Sequence, residues 1–319
     1  MMLPRLKARS EALLRSALPW MVPTHFRDQA VRQLHDGLLP LSLGPQRWLS
    51  RQLWCDYRVL IPLQQPVVGR QVCLFAMYDR DGIVDDYVLC YLSKIQAAGM
   101  LCVLVATRPF ASKSELKKAA PFCAAIIERE NIGLDFGSWR TALLIYPELY
   151  HCQTLLFAND SVYGPMRDLG GITRKMLAAP CDFWGITESF EVYPHYQSYF
   201  LGFKRSALDS QAFIRFQQRI ALLADKRKII DGYEVGLVAA LRRGGLWGQA
   251  LVPGHCVAGP QQNPTLHRWR ETLAAGSPFL KVQLLRENPH QQQLSDWPAV
   301  VASYGYDPAL IERHLRRFR

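Results

Sequence analysis

From Gln71 onward the chain alternates between short, continuous apolar runs and amphipathic stretches. The run VCLFAMY contains no polar break, as expected of a strand buried on both faces of a sheet. It leads through the polar loop DRDGIVDD into a helical stretch from about Asp86 to Ala98, then into a second apolar run, MLCVLVAT. Strand, helix and strand at this spacing predict one βαβ unit. The alternation continues with SELKKAAPFC as a helix, AAIIERE as a third strand, NIGLDFGSWRTALLIYP as a glycine-containing loop entering a helix, and QTLLFAND as a fourth strand ending in polar residues. Beyond Gly170 the pattern loosens. FWGIT and YFLGF read as strands, the segment FIRF to RRGG as two helical stretches around Asp231-Gly232, and PALIERHLRRFR as a short basic helix.

These patterns divide the chain into an irregular basic N-terminal flank (1–68), an α/β domain (69–290) and a basic helical C-terminal tail (291–319). In the first flank, Leu3, Leu6, Leu13, Leu14 and Leu18 share a helix face bordered by Arg5, Lys7, Arg9 and Arg15. Such a helix lies on anionic lipid or packs on its own domain. With 49% hydrophobic and 20% charged residues the composition is that of a folded chain, not a disordered one.

The net charge of +11 implies anionic company: phosphates, an anionic membrane surface or nucleic acid. No nucleic-acid motif accompanies it and the basic residues concentrate in the flanks, so nucleic acid is the weakest of the three. No apolar run reaches the ~18–20 residues that span a bilayer. Arg9, Glu11 and Arg15 interrupt what would be the apolar centre of a secretory signal, so the expectation is a cytoplasmic protein, peripheral on the inner face of the membrane. The eight cysteines lack a C-x-x-C spacing and lie mostly among apolar neighbours, which predicts reduced, buried thiols.

In open α/β sheets, ligands bind beyond the carboxyl ends of the strands. Asp79, the loop from Asn131 to Gly137 and the pair Asn159-Asp160 fall there. Gly133 and Gly137 would let the loop approach a ligand closely, and Asp135 offers an acceptor to a ribose or base. Asn159, Asp160 and Ser161 leave one strand together as oxygen donors, suited to Mg2+ or Mn2+ beside a diphosphate, with Asp160 the one certain charge. His195, Gln197 and Ser198 lie among aromatics, as a sugar or acceptor pocket requires and as a satisfied core network also would. Trp139 and Trp184 either stack on a sugar or belong to the core. Lys204, Arg205, Arg242 and Arg243 reach phosphates or are solvated, and Arg313, Arg316, Arg317 and Arg319 suit lipid headgroups or a lipid diphosphate.

The segments VCLFAMYDRDGIVDDYVLCYL, ENIGLDFGSWRTAL, LLFANDSVYGPM, CDFWGIT, HYQSYFLGFKRSAL, YEVGLVAALRRGG and PFLKVQLLRENP together resemble the rhamnan synthesis protein F family, over about residues 70–290. The resemblance implies a GT-A-like glycosyltransferase: a nucleotide-sugar-binding α/β sandwich with a mixed, mostly parallel central sheet and helical flanks. It implies that Tyr78 and Asp79 meet the nucleotide. The stretch from Asn131 looks like that fold's Asn-x-Gly segment, and Asn159-Asp160-Ser161 like its DxD motif with both outer carboxylates replaced. Glu234, opening a helix, is similar to the general base of inverting enzymes. The implied donor is a nucleotide sugar, dTDP-rhamnose being plausible, and the implied acceptor a lipid-linked glycan; the alternative is a non-catalytic scaffold of a polysaccharide assembly complex.

Overall fold

The apolar runs form the middle of one mixed sheet. A computed structural model describes residues 55–318 apart from Val192 and Pro260, so the leucine-rich face of the N-terminal flank and Arg319 lie outside the described residues. Strands β1 (Tyr57–Ile61), β2 (Gln71–Met77), β3 (Leu101–Ala106), β4 (Ala125–Arg129) and β5 (Thr154–Asn159) are followed by the short β6 (Val162–Tyr163). After these come β7 (Phe183–Ser189), β8 (His195–Tyr196), β9 (Phe200–Lys204), β10 (Gly248–Val252) and β11 (Leu280–Lys281). The large sheet runs β1-β4-β3-β2-β5-β9-β7-β10, with β8 on β7. Its core, β4-β3-β2-β5, is parallel; β1 and β9 join antiparallel, and β10 is parallel to β7. Helices on both faces explain why β2 is apolar from Val72 on: Val72 to Ala76 have no exposed surface.

The helices named below are α1 (Asp86–Ala97), α2 (Lys113–Ala119), α3 (Leu134–Ile145), α4 (Leu169–Ala178), α5 (Gln211–Gln218), α6 (Val235–Arg243), α7 (Trp297–Ser303) and α8 (Pro308–Arg316). On one face, Tyr91, Leu92 and Ile95 of α1 pack with Phe75 and Leu104. On the other, Phe136, Trp139 and Leu143 of α3 pack with Leu74, Val103 and Phe157. Trp139 is core: its ring stacks on Phe157 at 4.6 Å and its Nε1 donates to the Ala158 carbonyl.

Three sequence expectations change. β1 arises from the segment assigned to the N-terminal flank, because Tyr57–Ile61 covers the otherwise open edge of β4. The C-terminal tail is part of the domain as well, with Ile311 and His314 buried. The helical break between α5 and α6 falls near 219–225 and not at Asp231-Gly232, which lies within a π-type turn (Ile230–Glu234) leading into α6. The break is held in place from both sides. The Tyr233 hydroxyl accepts from Ala221 N and donates to Ala221 O, while Gly133 N donates to Leu223 O. Five cysteines are buried as expected, but Cys256 is exposed.

α8 docks through His314, whose Nδ1 pairs with the Tyr163 hydroxyl at 2.7 Å and whose Nε2 faces Asp85 at 3.8 Å. Burial, then Arg286 and Arg317, push this imidazole down to about 4 against an attraction to Asp79. It is therefore neutral in the fold, whereas the unfolded chain takes up its proton near 6.5. Stability is then complete above about 6.5 and is lost as pH falls toward 4. Discounted for partial solvation, the loss is about 2 kcal/mol. Urea unfolding at pH 7 and pH 4.5 should show that loss in the wild type and a smaller one in His314→Gln; equal losses would remove His314 from the account.

Candidate functional site

The site begins where β2 and β5 end side by side, with Ala76 opposite Asn159. One residue on, Asp160 N donates to Ala76 O, and its Oδ2 accepts from Tyr78 N at 2.7 Å. Tyr87, from α1, donates its hydroxyl to the Asp160 carbonyl at 2.9 Å. Burial foremost, and then the neighbouring Asp135, raise the Asp160 carboxyl well above the usual range. Asp79 is committed to the chain around it. Its Oδ1 accepts from Asp81 N and Ile83 N, shaping the loop, and both its oxygens accept from Arg317 Nη2 at 3.0 and 2.9 Å. Arg317 also bonds Asp85, so the C-terminal helix fastens onto the loop after β2.

A second group of residues meets at the end of β5. Asn159 Nδ2 donates to Asp135 Oδ2 at 2.7 Å, and Asn159 Oδ1 accepts from the backbone and hydroxyl of Ser161 at 3.2 and 2.7 Å. Lys281 Nζ stands 3.4 Å from Ser161 Oγ. Register places it there: β11 pairs antiparallel with β6, setting Lys281 opposite Val162, and Val282 N donates to Ser161 O. Burial pushes the Asp135 carboxyl up to about 6, against the Asn159 hydrogen bond and the Lys281 charge, with Glu234 adding to the rise. Burial lowers the Lys281 ammonium, against the pull of Glu234 and Asp135. Asp135, Glu234 and Lys281 thus act on one another electrostatically. Lys281 escapes sequence reading because a lone lysine between apolar residues carries no motif; only the β6–β11 pairing reveals it.

Glu234 ends the π-type turn before α6, and its Oε1 accepts from Ser198 N at 2.8 Å. That bond brings Glu234 and Ser198 together. The other members of the aromatic segment turn inward. Gln197 accepts from Thr187 and donates to Asn263 and Thr265, a satisfied buried network. His195 is buried and pairs with the Tyr193 carbonyl at 2.7 Å. Trp184 has no exposed surface, and a Cβ on Gly202 would stand 2.2 Å from its ring. No face of Trp184 is open to a sugar, so its role is packing.

The two loop glycines serve the chain and not a ligand. Gly133 adopts φ +80°, and a Cβ there would stand 2.9 Å from Leu222; at Gly137 it would stand 2.7 Å from the Ile132 carbonyl and 3.0 Å from the Arg129 guanidinium. Both positions admit only a hydrogen because segment 220–223 and Arg129 occupy the space. Asn131 and Tyr78 remain exposed. The basic pairs are mostly structural. Lys204 caps the end of α4 through the Leu177 and Ala179 carbonyls, Arg205 binds Asp209 and the Tyr150 carbonyl, and Arg242 reaches the Tyr196 hydroxyl.

A hard divalent cation takes about six oxygen ligands, carboxylates among them. Among the described residues no three acidic, histidine or cysteine side chains come together in that way. Asn159 Oδ1 is taken by Ser161, one Asp160 oxygen by Tyr78 N, and the cation beside Ser161 is the Lys281 ammonium. Among the described residues this donor set offers no ready-made cage for the Mg2+ or Mn2+ that the strand-end oxygens suggested, and an ammonium already stands beside Ser161.

The family described as Rhamnan synthesis protein F matches residues 103–319. The chain belongs to that family. The match to the rhamnan synthesis protein F family runs to the end of α8, past the boundary at 290 that the motifs suggested. A virulence protein, VirA, of Vibrio anguillarum is 31% identical over 210 residues, covering 56% of this chain and 66% of that protein. The protein y4gN of Sinorhizobium fredii is 27% identical over 175 residues, covering 53% of this chain and 45% of the other. The chain thus spans less than two thirds of the length of these curated relatives.

Among solved structures, similar folds include the mannosyltransferase PcManGT of Pyrobaculum calidifontis, in complex with GDP-Man and Mn2+. It is 14% identical, with 89% of this chain and 82% of that chain covered and a TM-score of 0.38. The galactosyltransferase LgtC, in complex with donor and acceptor sugar analogs, is 12% identical, with 56% and 72% covered and a TM-score of 0.33. Among the described residues no helix is long and apolar enough to cross a membrane.

Proposed function

We propose that this chain is a glycosyltransferase that moves a sugar from a nucleoside-diphosphate donor to a hydroxyl of a growing cell-surface polysaccharide, with inversion at the anomeric carbon. The observation that carries the reading is the hydrogen-bonded run Asp135–Asn159–Ser161 at the strand ends, electrostatically coupled to the Glu234 carboxylate and the Lys281 ammonium. A glycosyl transfer of this type needs polar groups that orient the donor, a base for the acceptor proton, and positive charge for the departing diphosphate. Asp135 orients the nucleotide, Asp79 holds the loop after β2 in shape, and the cluster around Asp160 fixes the floor beneath the sugar. Glu234 accepts the acceptor's hydroxyl proton as that oxygen attacks the anomeric carbon, and the bond to the diphosphate breaks on the opposite face.

Membership of the rhamnan synthesis protein F family makes dTDP-rhamnose the first donor to test and a lipid-linked glycan the first acceptor. Arg313 and Arg316 on α8 are ion-paired yet keep about half or more of their side-chain surface exposed, which suits an anionic membrane face. The test is transfer by the full chain from a panel of nucleotide sugars, dTDP-rhamnose included, to a glycan acceptor, read by mass spectrometry. One donor should be consumed, and Asp160→Asn should slow that reaction at least about tenfold. No binding and no turnover with any donor would overturn the proposal.

A further inference from the structure

In a nucleotide-sugar site, the terminal residue of the strand-end triplet is where a carboxylate would hold a cation against the diphosphate. Here that residue is Ser161. Its hydroxyl is fixed by Asn159 Oδ1 at 2.7 Å, and the ammonium of Lys281 stands 3.4 Å away. The ammonium is placed with care: the β6–β11 pairing sets its backbone, the Val282–Ser161 hydrogen bond locks the register, and the Tyr199 ring lies 5.1 Å beneath Nζ. Tyr199 is in turn held by the Thr187 hydroxyl at 2.8 Å. The charge of this cation also acts on Asp135 and Glu234, and offsets the repulsion those two carboxylates would exert on an incoming anion.

Resting on the nucleotide-sugar reading above, we infer that Lys281 is a catalytic residue that binds the donor diphosphate directly and takes the place of a divalent metal. As the bond between the anomeric carbon and the diphosphate oxygen breaks, that oxygen keeps the electron pair. Lys281 donates hydrogen bonds to the phosphate oxygens that gather the charge, while the acceptor proton passes to Glu234. No metal and no further reactant is needed for the charges to balance.

The experiment is calorimetric titration of dTDP, UDP and GDP into the full chain, first in EDTA and then with Mn2+. At least one diphosphate should bind in EDTA, with affinity changed less than about threefold by Mn2+; Lys281→Met should weaken it about tenfold or more. Lys281→Arg, which keeps the charge, should retain most of the binding, separating loss of the cation from loss of packing. Thermal melting of both variants checks that they fold. Binding that requires Mn2+, or wild-type affinity in Lys281→Met, would overturn the inference while leaving the nucleotide-sugar reading intact. If none of the three diphosphates binds with or without Mn2+, the inference falls, and the nucleotide-sugar reading itself is the part at fault.

Discussion

Glu234→Gln is expected to lower the rate of sugar transfer by about 10²- to 10⁴-fold while leaving donor binding nearly unchanged. The substitution is close to isosteric. The hydrogen bond from Ser198 N to Oε1 survives, because the glutamine carbonyl accepts it equally well. The π-type turn and the start of α6 should therefore keep their geometry. What disappears is the basicity that takes the acceptor proton. Glu234→Ala is the poorer experiment, since it also strips Ser198 N of its acceptor and leaves space beneath the aromatic segment. Steady-state kinetics should show kcat falling with little change in the donor KM. Transfer within about threefold of the wild type would place the base elsewhere.

The parallel core was legible because the middles of strands buried on both faces are apolar, so their runs are continuous and their order with the helices follows. What escaped was set by pairing over long distances. β1 has the mixed pattern YRVLI, half exposed, and its place at the β4 edge is decided by the edge and not by its own residues. β6 and β11 are two residues long, too short for any periodicity, yet they carry Lys281 to Ser161. In the site, Asp135, Asn159, Asp160 and Ser161 meet as their positions at strand ends implied. Gly133 and Gly137 were misread because a glycine shows that something approaches closely without showing what. Here it is Leu222, the Ile132 carbonyl and a guanidinium. Gln197 and Trp184 stayed open between two readings for a related reason: polar groups among aromatics describe a pocket and a satisfied core alike until burial separates them.

The guanidinium beside Gly137 carries the second large expectation, that Arg129→Met costs about 3 kcal/mol of stability and most of the activity. Arg129 ends β4 with its side chain almost wholly buried. Its Nη1 donates to the Leu134 carbonyl at 3.2 Å and to Ser138 Oγ at 3.0 Å, its Nη2 donates to the Ile132 carbonyl, and its Nε reaches Cys55 Sγ. Those carbonyls belong to the turn that starts α3, and Asp135 is the next residue along. Methionine fills similar volume but donates nothing, so the Ile132 carbonyl loses the guanidinium, the Leu134 carbonyl keeps the Ser138 hydroxyl but not the arginine, and the turn is free to shift. A shift there moves Asp135 away from Asn159 and opens the run on which donor orientation depends. Lysine should rescue only in part, because one ammonium on a flexible stem cannot hold two carbonyls and a hydroxyl in a fixed plane. Denaturant unfolding should place Arg129→Lys between the wild type and Arg129→Met, with transfer rates in the same order. An Arg129→Met protein as stable as the wild type would mean that the turn is held by the 220–223 segment alone, through Gly133 N and Leu223 O.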